Sequence, residues 1–261
     1  MFDTKVTNTI SLALQGSAAI ATMSRPPVNA IDEPWIDCLN AVLDEIEKSP
    51  EASVLWIRSS EPTFCAGADL SLMSARFETK SGQELMVDFA RRLQAVYARL
   101  EAASVVSIAE IGGAALGGGF ELALACDLRV VSETAKLGLP EARLGLLPGA
   151  GGTQRLTRLC GDGVARRMIL GAELITGVEA VAIGAAQWVL PGDSVQGFTA
   201  ELVERITSLP RDAIVECKKC ISTALQTNVS GFEMELTATR MLLGKEETQE
   251  RVKKFLESRK K

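Results

Sequence analysis

The chemistry open to this chain is narrowed first by a residue it lacks. No histidine occurs anywhere in the sequence, so no Ser–His–Asp or Cys–His relay, imidazole-ligated metal or imidazole proton shuttle can be built from it. Acid–base work falls to the 33 carboxylates, the lysines, the six thiols and the single tyrosine, Tyr97. Two of the carboxylates stand out. Glu121 lies one turn into Gly117-Gly118-Gly119-Phe120-Glu121-Leu122, and Glu141 follows a proline in Leu139-Pro140-Glu141-Ala142. Burial beside apolar residues raises a glutamate toward neutrality, where it can both give and take a proton. Either residue could equally be a helix-start carboxylate favoured by the dipole. Their separation of twenty residues does not show that they meet.

Three loops rich in small residues could bring a ligand to these carboxylates. Phe64-Cys65-Ala66-Gly67-Ala68-Asp69-Leu70 follows a short apolar run, and a helix starting near Asp69 would aim free N–H groups at a ligand. The same residues would also serve as a tightly packed β-to-α turn. Gly112-Gly113-Ala114-Ala115-Leu116-Gly117-Gly118-Gly119 opens a second helix on three consecutive glycines, which favours negative charge at its amides. It is not a phosphate loop, because no Gly-Lys-Ser/Thr follows and no G-x-G-x-x-G occurs. The third loop carries Glu141 and ends in Pro148-Gly149-Ala150-Gly151-Gly152-Thr153-Gln154-Arg155.

Alternating strands and helices must position these loops. Residues 10–15 and 19–24 read as a strand pair turning at Gly16-Ser17. Trp35, Ile36, Leu39, Val42, Leu43 and Ile46 share one helical face, started by Asp32 with Pro34 in the first turn. Leu85, Phe89, Leu93, Val96, Tyr97 and Leu100 mark another. The unbroken apolar runs at 54–57, 105–109 and 128–131 read as buried strands, giving an α/β core with helices covering a sheet. Residues 1–193 form the expected α/β unit, and 194–261 a helical region for packing and oligomerisation.

A net charge of −5 without long basic blocks argues against nucleic acid or an anionic membrane as partner. The longest charge-free run, residues 6–24, is too polar to span lipid, and the first residues carry no targeting pattern. Six scattered cysteines read as free thiols of a reducing compartment, so a cytoplasmic location is expected. Cys217-x-x-Cys220 lies in a helical pattern with no second pair, and no metal site is expected.

Together the blocks resemble the enoyl-CoA hydratase (crotonase) family. They are Cys65-Ala66-Gly67-Ala68-Asp69-Leu70, Ala115-Leu116-Gly117-Gly118-Gly119-Phe120-Glu121, Ala125-Cys126-Asp127, Leu139-Pro140-Glu141 and Pro148-Gly149-Ala150-Gly151-Gly152-Thr153-Gln154-Arg155, in that order. Arg25-Pro26-Pro27-Val28-Asn29-Ala30-Ile31 is similar to the block that opens the first helix. The resemblance implies a spiral of ββα turns and a C-terminal helical region that assembles trimers, usually paired into hexamers. It implies an acyl-CoA thioester held by the amides of Ala68 and Gly118 as an oxyanion hole. Glu121 would take the proton of an attacking water and Glu141 would protonate the α-carbon. Ala66 would offer its carbonyl to the adenine, and Val28, Gly67, Asp69, Leu70 and Phe255 would contact the ligand. Leu72, Met73 and Phe89 would line the acyl end. No cofactor beyond the substrate's own coenzyme A is implied.

Three positions depart from the family pattern. Gly113 stands where Asn is frequent, Pro26-Pro27 replace a basic residue, and Ser258 replaces a Lys, leaving Arg259, Lys260 or Lys261 to meet CoA phosphates. Hydration of a 2-enoyl-CoA is the leading reading. The alternatives are isomerisation or a lyase step on the same thioester enolate, and a non-catalytic CoA-ester-binding or RNA-associated scaffold.

Overall fold

The computed structural model describes residues 4–6, 9–76, 78–224 and 230–258. Its larger sheet has seven strands: β1 (Thr4–Val6), β2 (Ile10–Gln15), β3 (Ala18–Met23), β4 (Val54–Ser59), β5 (Val106–Ile111), β7 (Leu128–Ser132) and β10 (Trp188–Leu190), neighbours in that order. The first three are antiparallel, with β2 and β3 turning at Gly16, and β3 to β10 are parallel. A second sheet of three strands, β6 (Ala115–Leu116), β8 (Lys136–Gly138) and β9 (Leu174–Thr176), runs in the order β6-β8-β9.

The unbroken apolar runs are strands buried on both faces. In β4, Leu55 and Ile57 enter one core while Val54 and Trp56 enter another, as the two-residue period of a strand requires. The larger core is closed by α1 (Glu33–Glu47) and α3 (Lys80–Ala102). Asp32 caps α1 by accepting from the Trp35 amide, and the six expected apolar residues of that helix are all buried. On α3 five of the six expected residues are buried, but Leu85 is exposed one turn after the helix starts. The short α2 (Leu70–Ser74) and α4 (Gly118–Ala125) open at the two small-residue loops, and Glu141 sits in a 3-10 turn at Pro140–Leu144. Helices α5 (Gly152–Cys160), α6 (Asp162–Leu170) and α7 (Gly177–Ala182) complete that side.

Beyond a 3-10 turn at Gly192–Ser194, the chain is helical in α8 (Val195–Thr207), α9 (Arg211–Thr223), α10 (Gly231–Leu243) and α11 (Glu246–Ser258). The expected boundary at 193/194 falls just before α8, yet Val195, Leu202, Val203 and Ile206 of that helix complete the second core. By packing, α8 therefore belongs with the sheet. Helix α9 is tied back by Lys218, which reaches Asp127 Oδ2 at 2.7 Å and the Val105 carbonyl at 2.9 Å. Cys217 and Cys220 lie on α9 as free thiols, and the other four cysteines are free as well. No described helix is long and apolar enough to cross a membrane.

The frame closes on itself most tightly where α4 meets the loop after β4. A Cβ at Gly119 would lie 2.2 Å from the Cys65 carbonyl oxygen and 2.6 Å from the Cys65 Cβ. Gly119→Ala should therefore cost about 2 kcal/mol or more of stability through overpacking, read as a lowered midpoint in thermal or denaturant unfolding. Gly112→Ala is the control, because nothing lies within 4 Å of its added Cβ. That variant should unfold like the parent.

Candidate active site

Two backbone segments supply the first half of the site. Residue 65 bridges residue 115, with the Cys65 amide donating to Ala114 and the Leu116 amide to Cys65. Ala68 bridges Ile31: the Gly67 carbonyl and the Asp69 amide make the bonds, leaving the Ala68 N–H facing the other way. Gly118 is the first residue of α4, so its N–H has no intrahelical acceptor. Neither amide donates to any protein group among the described residues. A Cβ at Gly67, where φ is +94°, would stand 3.1 Å from the Gly118 nitrogen, and one at Gly118 would stand 3.7 Å from the Ala68 nitrogen. Two free N–H groups thus flank one space. The Tyr97 hydroxyl, wholly buried, fixes the Gly118 peptide by donating to its carbonyl at 2.8 Å. Burial, followed by the charges around it, keeps that phenol protonated.

The carboxylates supply the second half. Glu121 and Glu141 both line the cavity of about 520 Å³ whose wall includes Ala68 and Gly118. Only 2% of Glu121 is exposed, and its Oε1 accepts from the amides of Ala150 at 2.8 Å and Gly152 at 2.7 Å. Burial raises its pKa, while those two amides and the Arg155 charge pull it back toward the ionised form. Arg155 also shapes the loop, donating to the Ala150 carbonyl at 2.9 Å and pairing with Glu101 at 3.0 Å. Glu141 has only its own backbone amide to pull it down. Its Oε2 is buried without a partner, and burial, with the charge of Glu121 adding to it, pushes its pKa up to about 7. Burial thus raises both carboxyls, and the two loop amides and Arg155 offset part of that at Glu121.

The remaining expected residues divide. Ala66, Gly67, Leu70, Met73 and Phe89 line the cavity. Leu72 does not: one turn of helix turns Leu70 and Met73 to the cavity and packs Leu72 against the main core. Val28 lies behind the wall, its carbonyl accepting from the Ala66 amide. Asp69 also stays out of the wall, capping α2 through the Ser71 amide and pairing with Arg25 at 2.9 Å. Its bonds to Ser71 and Arg25 hold its pKa at about 2. Phe255 falls on α11, but its side chain lies outside the described residues. Among the described residues, no group of three or more Cys, Asp or Glu is placed to hold a metal ion.

Asn29 went unnoticed as a support. Buried at φ +51°, it donates through Nδ2 to Ser59 Oγ and to the carbonyls of Thr63 and Phe64, fixing the approach to residues 65–68. The signal available was an Asn between two short apolar residues, a type enriched in left-handed backbone.

Sheet, helical cover and paired amides opposite paired carboxylates define a chain of the enoyl-CoA hydratase/isomerase family, whose family model matches residues 14–261. The protein belongs to that family. It is 38% identical over 234 residues to the probable mitochondrial enoyl-CoA hydratase 2 of Arabidopsis thaliana, covering 89% of this chain and 76% of the relative. With the short-chain-enoyl-CoA hydratase of Clostridium acetobutylicum it shares 33% identity, covering 97% of this chain and 96% of that one. The crystal structure of an enoyl-CoA hydratase from Bacillus anthracis superimposes with a TM-score of 0.89 at 30% identity, covering 96% of this chain and 97% of that one.

The unpartnered carboxyl of Glu141 has a cost that pH controls. Because its folded pKa is raised, the native state holds this proton more tightly than the unfolded chain between pH about 4.5 and about 7. Its contribution to stability is therefore present at low pH and lost as pH rises through that window. Glu141→Gln removes the charge and should raise the unfolding midpoint relative to the parent at pH 8. The gain should vanish near pH 4.5.

Proposed function

We propose that this protein is an enoyl-CoA hydratase, adding water reversibly to a trans-2-enoyl-CoA to give a 3-hydroxyacyl-CoA. One observation carries the reading: two buried carboxyls, one hydrogen-bonded by loop amides and the other raised to about 7, share a cavity with two free amides. The thioester carbonyl lies against the Ala68 and Gly118 N–H groups. Glu121 takes a proton from water as the water oxygen bonds to C3. The π pair of C2=C3 shifts into a C1=C2 bond as the carbonyl π pair moves onto the thioester oxygen, where the two fixed amides stabilise the enolate without reorganising. The enolate then takes the Glu141 proton at C2. Glu121 ends protonated and Glu141 ionised, and proton exchange restores the pair. No cofactor enters the reaction, and coenzyme A is the handle of the substrate.

The assembly expected of this family needs an apolar contact surface, and α10 and α11 carry one. Phe232 is 82% exposed on α10, and Leu236, Leu243 and Val252 of the two helices are exposed as well. A trimer, or a dimer of trimers, buries that surface and brings Phe255 toward a neighbouring CoA site. Free thiols in every described element that carries a cysteine fit a reducing compartment such as the cytoplasm.

Hydration is read directly from the loss of the conjugated-thioester absorbance of crotonyl-CoA. Glu121→Gln and Glu141→Gln should each lower kcat by about 10²–10⁴ while CoA-ester binding persists, since neutral isosteres keep the shape. Turnover of another CoA ester that survives Glu121→Gln but not Glu141→Gln would replace hydration by isomerisation or a lyase step. For the parent, kcat/KM should fall with an alkaline limb near 7 as Glu141 loses its proton. A rate that is flat from pH 6 to 9 would remove Glu141 as the acid. Gly118→Val should abolish turnover, because the added side chain meets Ile31 and the Ala68 amide.

A further inference from the structure

The turn that gives Glu121 its two amides is also gripped by a cation that stands outside the catalytic cavity. Glu121 Oε1 accepts from the Ala150 and Gly152 amides, and a Cβ at Gly152 would stand 2.9 Å from that oxygen. Arg155 Nη1 donates to the Ala150 carbonyl at 2.9 Å, and a Cβ at Gly151 would overlap the same nitrogen. Carboxylate and guanidinium thus hold one turn at adjacent glycines. Gly151 adopts φ +101° there, and its carbonyl accepts from the Arg155 amide in the first turn of α5. The rest of the guanidinium is committed to α3, where Nε and Nη2 reach Glu101 Oε2 at 3.2 and 3.0 Å. Neither Arg155 nor Glu101 lines the catalytic cavity, and both line a separate one of about 520 Å³.

We propose that Arg155 is a positioning residue for Glu121, oriented in turn by Glu101, and that this pair holds the 150–152 amides where the carboxylate accepts from them. The inference rests on the reading of Glu121 as the base of this site. Two effects act together: the guanidinium fixes the turn, and its charge favours the ionised carboxylate. Glu101 secures the first effect and opposes the second, because its negative charge offsets part of the guanidinium field. Of the other titratable groups packed about the site, burial keeps Tyr97, Cys65 and Cys126 protonated. Glu141 in the catalytic cavity, and Asp127, Arg129 and Arg158 in the separate one, are common to every variant compared below.

Infrared titration of the Glu121 carboxyl stretch, assigned by its loss in Glu121→Gln, needs no turnover. Arg155→Met should move that titration to higher pH by about one pH unit. It should also lower kcat for crotonyl-CoA by about tenfold or more at unchanged butyryl-CoA affinity, since the base is displaced and the cavity wall is not. Arg155→Lys keeps the charge without the planar fork, so it should restore the titration and only part of kcat. Glu101→Gln keeps an acceptor for the guanidinium and removes the opposing charge, so here the titration should move to lower pH. A turn that is only loosened would shift Arg155→Met and Glu101→Gln in the same direction. That result would overturn the inference, as would a titration unmoved in either variant. Should Arg155→Met not fold, Glu101→Gln decides alone, a shift to lower pH upholding the inference and any other result overturning it. The expected pair of shifts in a protein that leaves crotonyl-CoA unhydrated would uphold the positioning and dismiss the hydratase.

Discussion

Two stretches of main chain lie closer together than side chains would permit, and the site exists because they do. A Cβ at Gly67 would stand 2.9 Å from the Leu116 carbonyl, and one at Gly119 would overlap Cys65. With only hydrogen in those places, the loop after β4 and the start of α4 share a parallel bridge at Cys65 and Ala115. Their two unused amides then point into one space. Gly67 adopts positive φ there, which any other residue would resist. The approach is supported from behind by Tyr97 on one segment and Asn29 on the other, each buried and each donating to backbone carbonyls.

The carboxylates depend on the same closeness. Glu141 reaches the cavity over Gly117, whose missing side chain would otherwise stand 3.1 Å from Glu141 Oε1. Glu121 projects from the helix that Gly118 opens, and the amides of the 149–152 loop close around it. Burial acts on both residues, but the loop amides act on only one. The Ala150 and Gly152 amides hold Glu121 Oε1, whereas Glu141 Oε2 stays without a partner. The unsatisfied oxygen of Glu141 costs the fold stability, and that cost is what keeps a proton available at neutral pH.

Much of this arrangement was legible from residue order alone. The α1 face, the buried strands and the start of a helix near Asp69 follow from periodicity and capping, which act locally. What was not legible depends on which side of a short element faces inward. Leu72 and Met73 are neighbours on a helix of barely more than one turn, and no period can be read from so few residues. Asp69 lies inside a signature block, yet its carboxylate is consumed by Ser71 and Arg25 outside the cavity. The meeting of Glu121 and Glu141 joins an α-helix to a 3-10 turn through the second sheet. The strand pairs β6–β8 and β8–β9 that bring them together are two and three residues long, too short to leave a pattern.

The absence of histidine now has a physical counterpart. An imidazole comes with a pKa near neutrality and needs little from its surroundings. A carboxyl must be moved there by burial, so its environment has to be dry, rigid and short of partners. The described residues provide that with a mostly apolar wall, in which Glu121 Oε1 is committed to two amides and Glu141 Oε2 to none. A wall dry enough to lift Glu141 to about 7 is also a wall that accepts hydrocarbon and penalises charge. The raised pKa of Glu141 and the apolar lining are therefore two aspects of one low-dielectric cavity. A polar substitution introduced to broaden the substrate range would be expected to lower the pKa of its own acid.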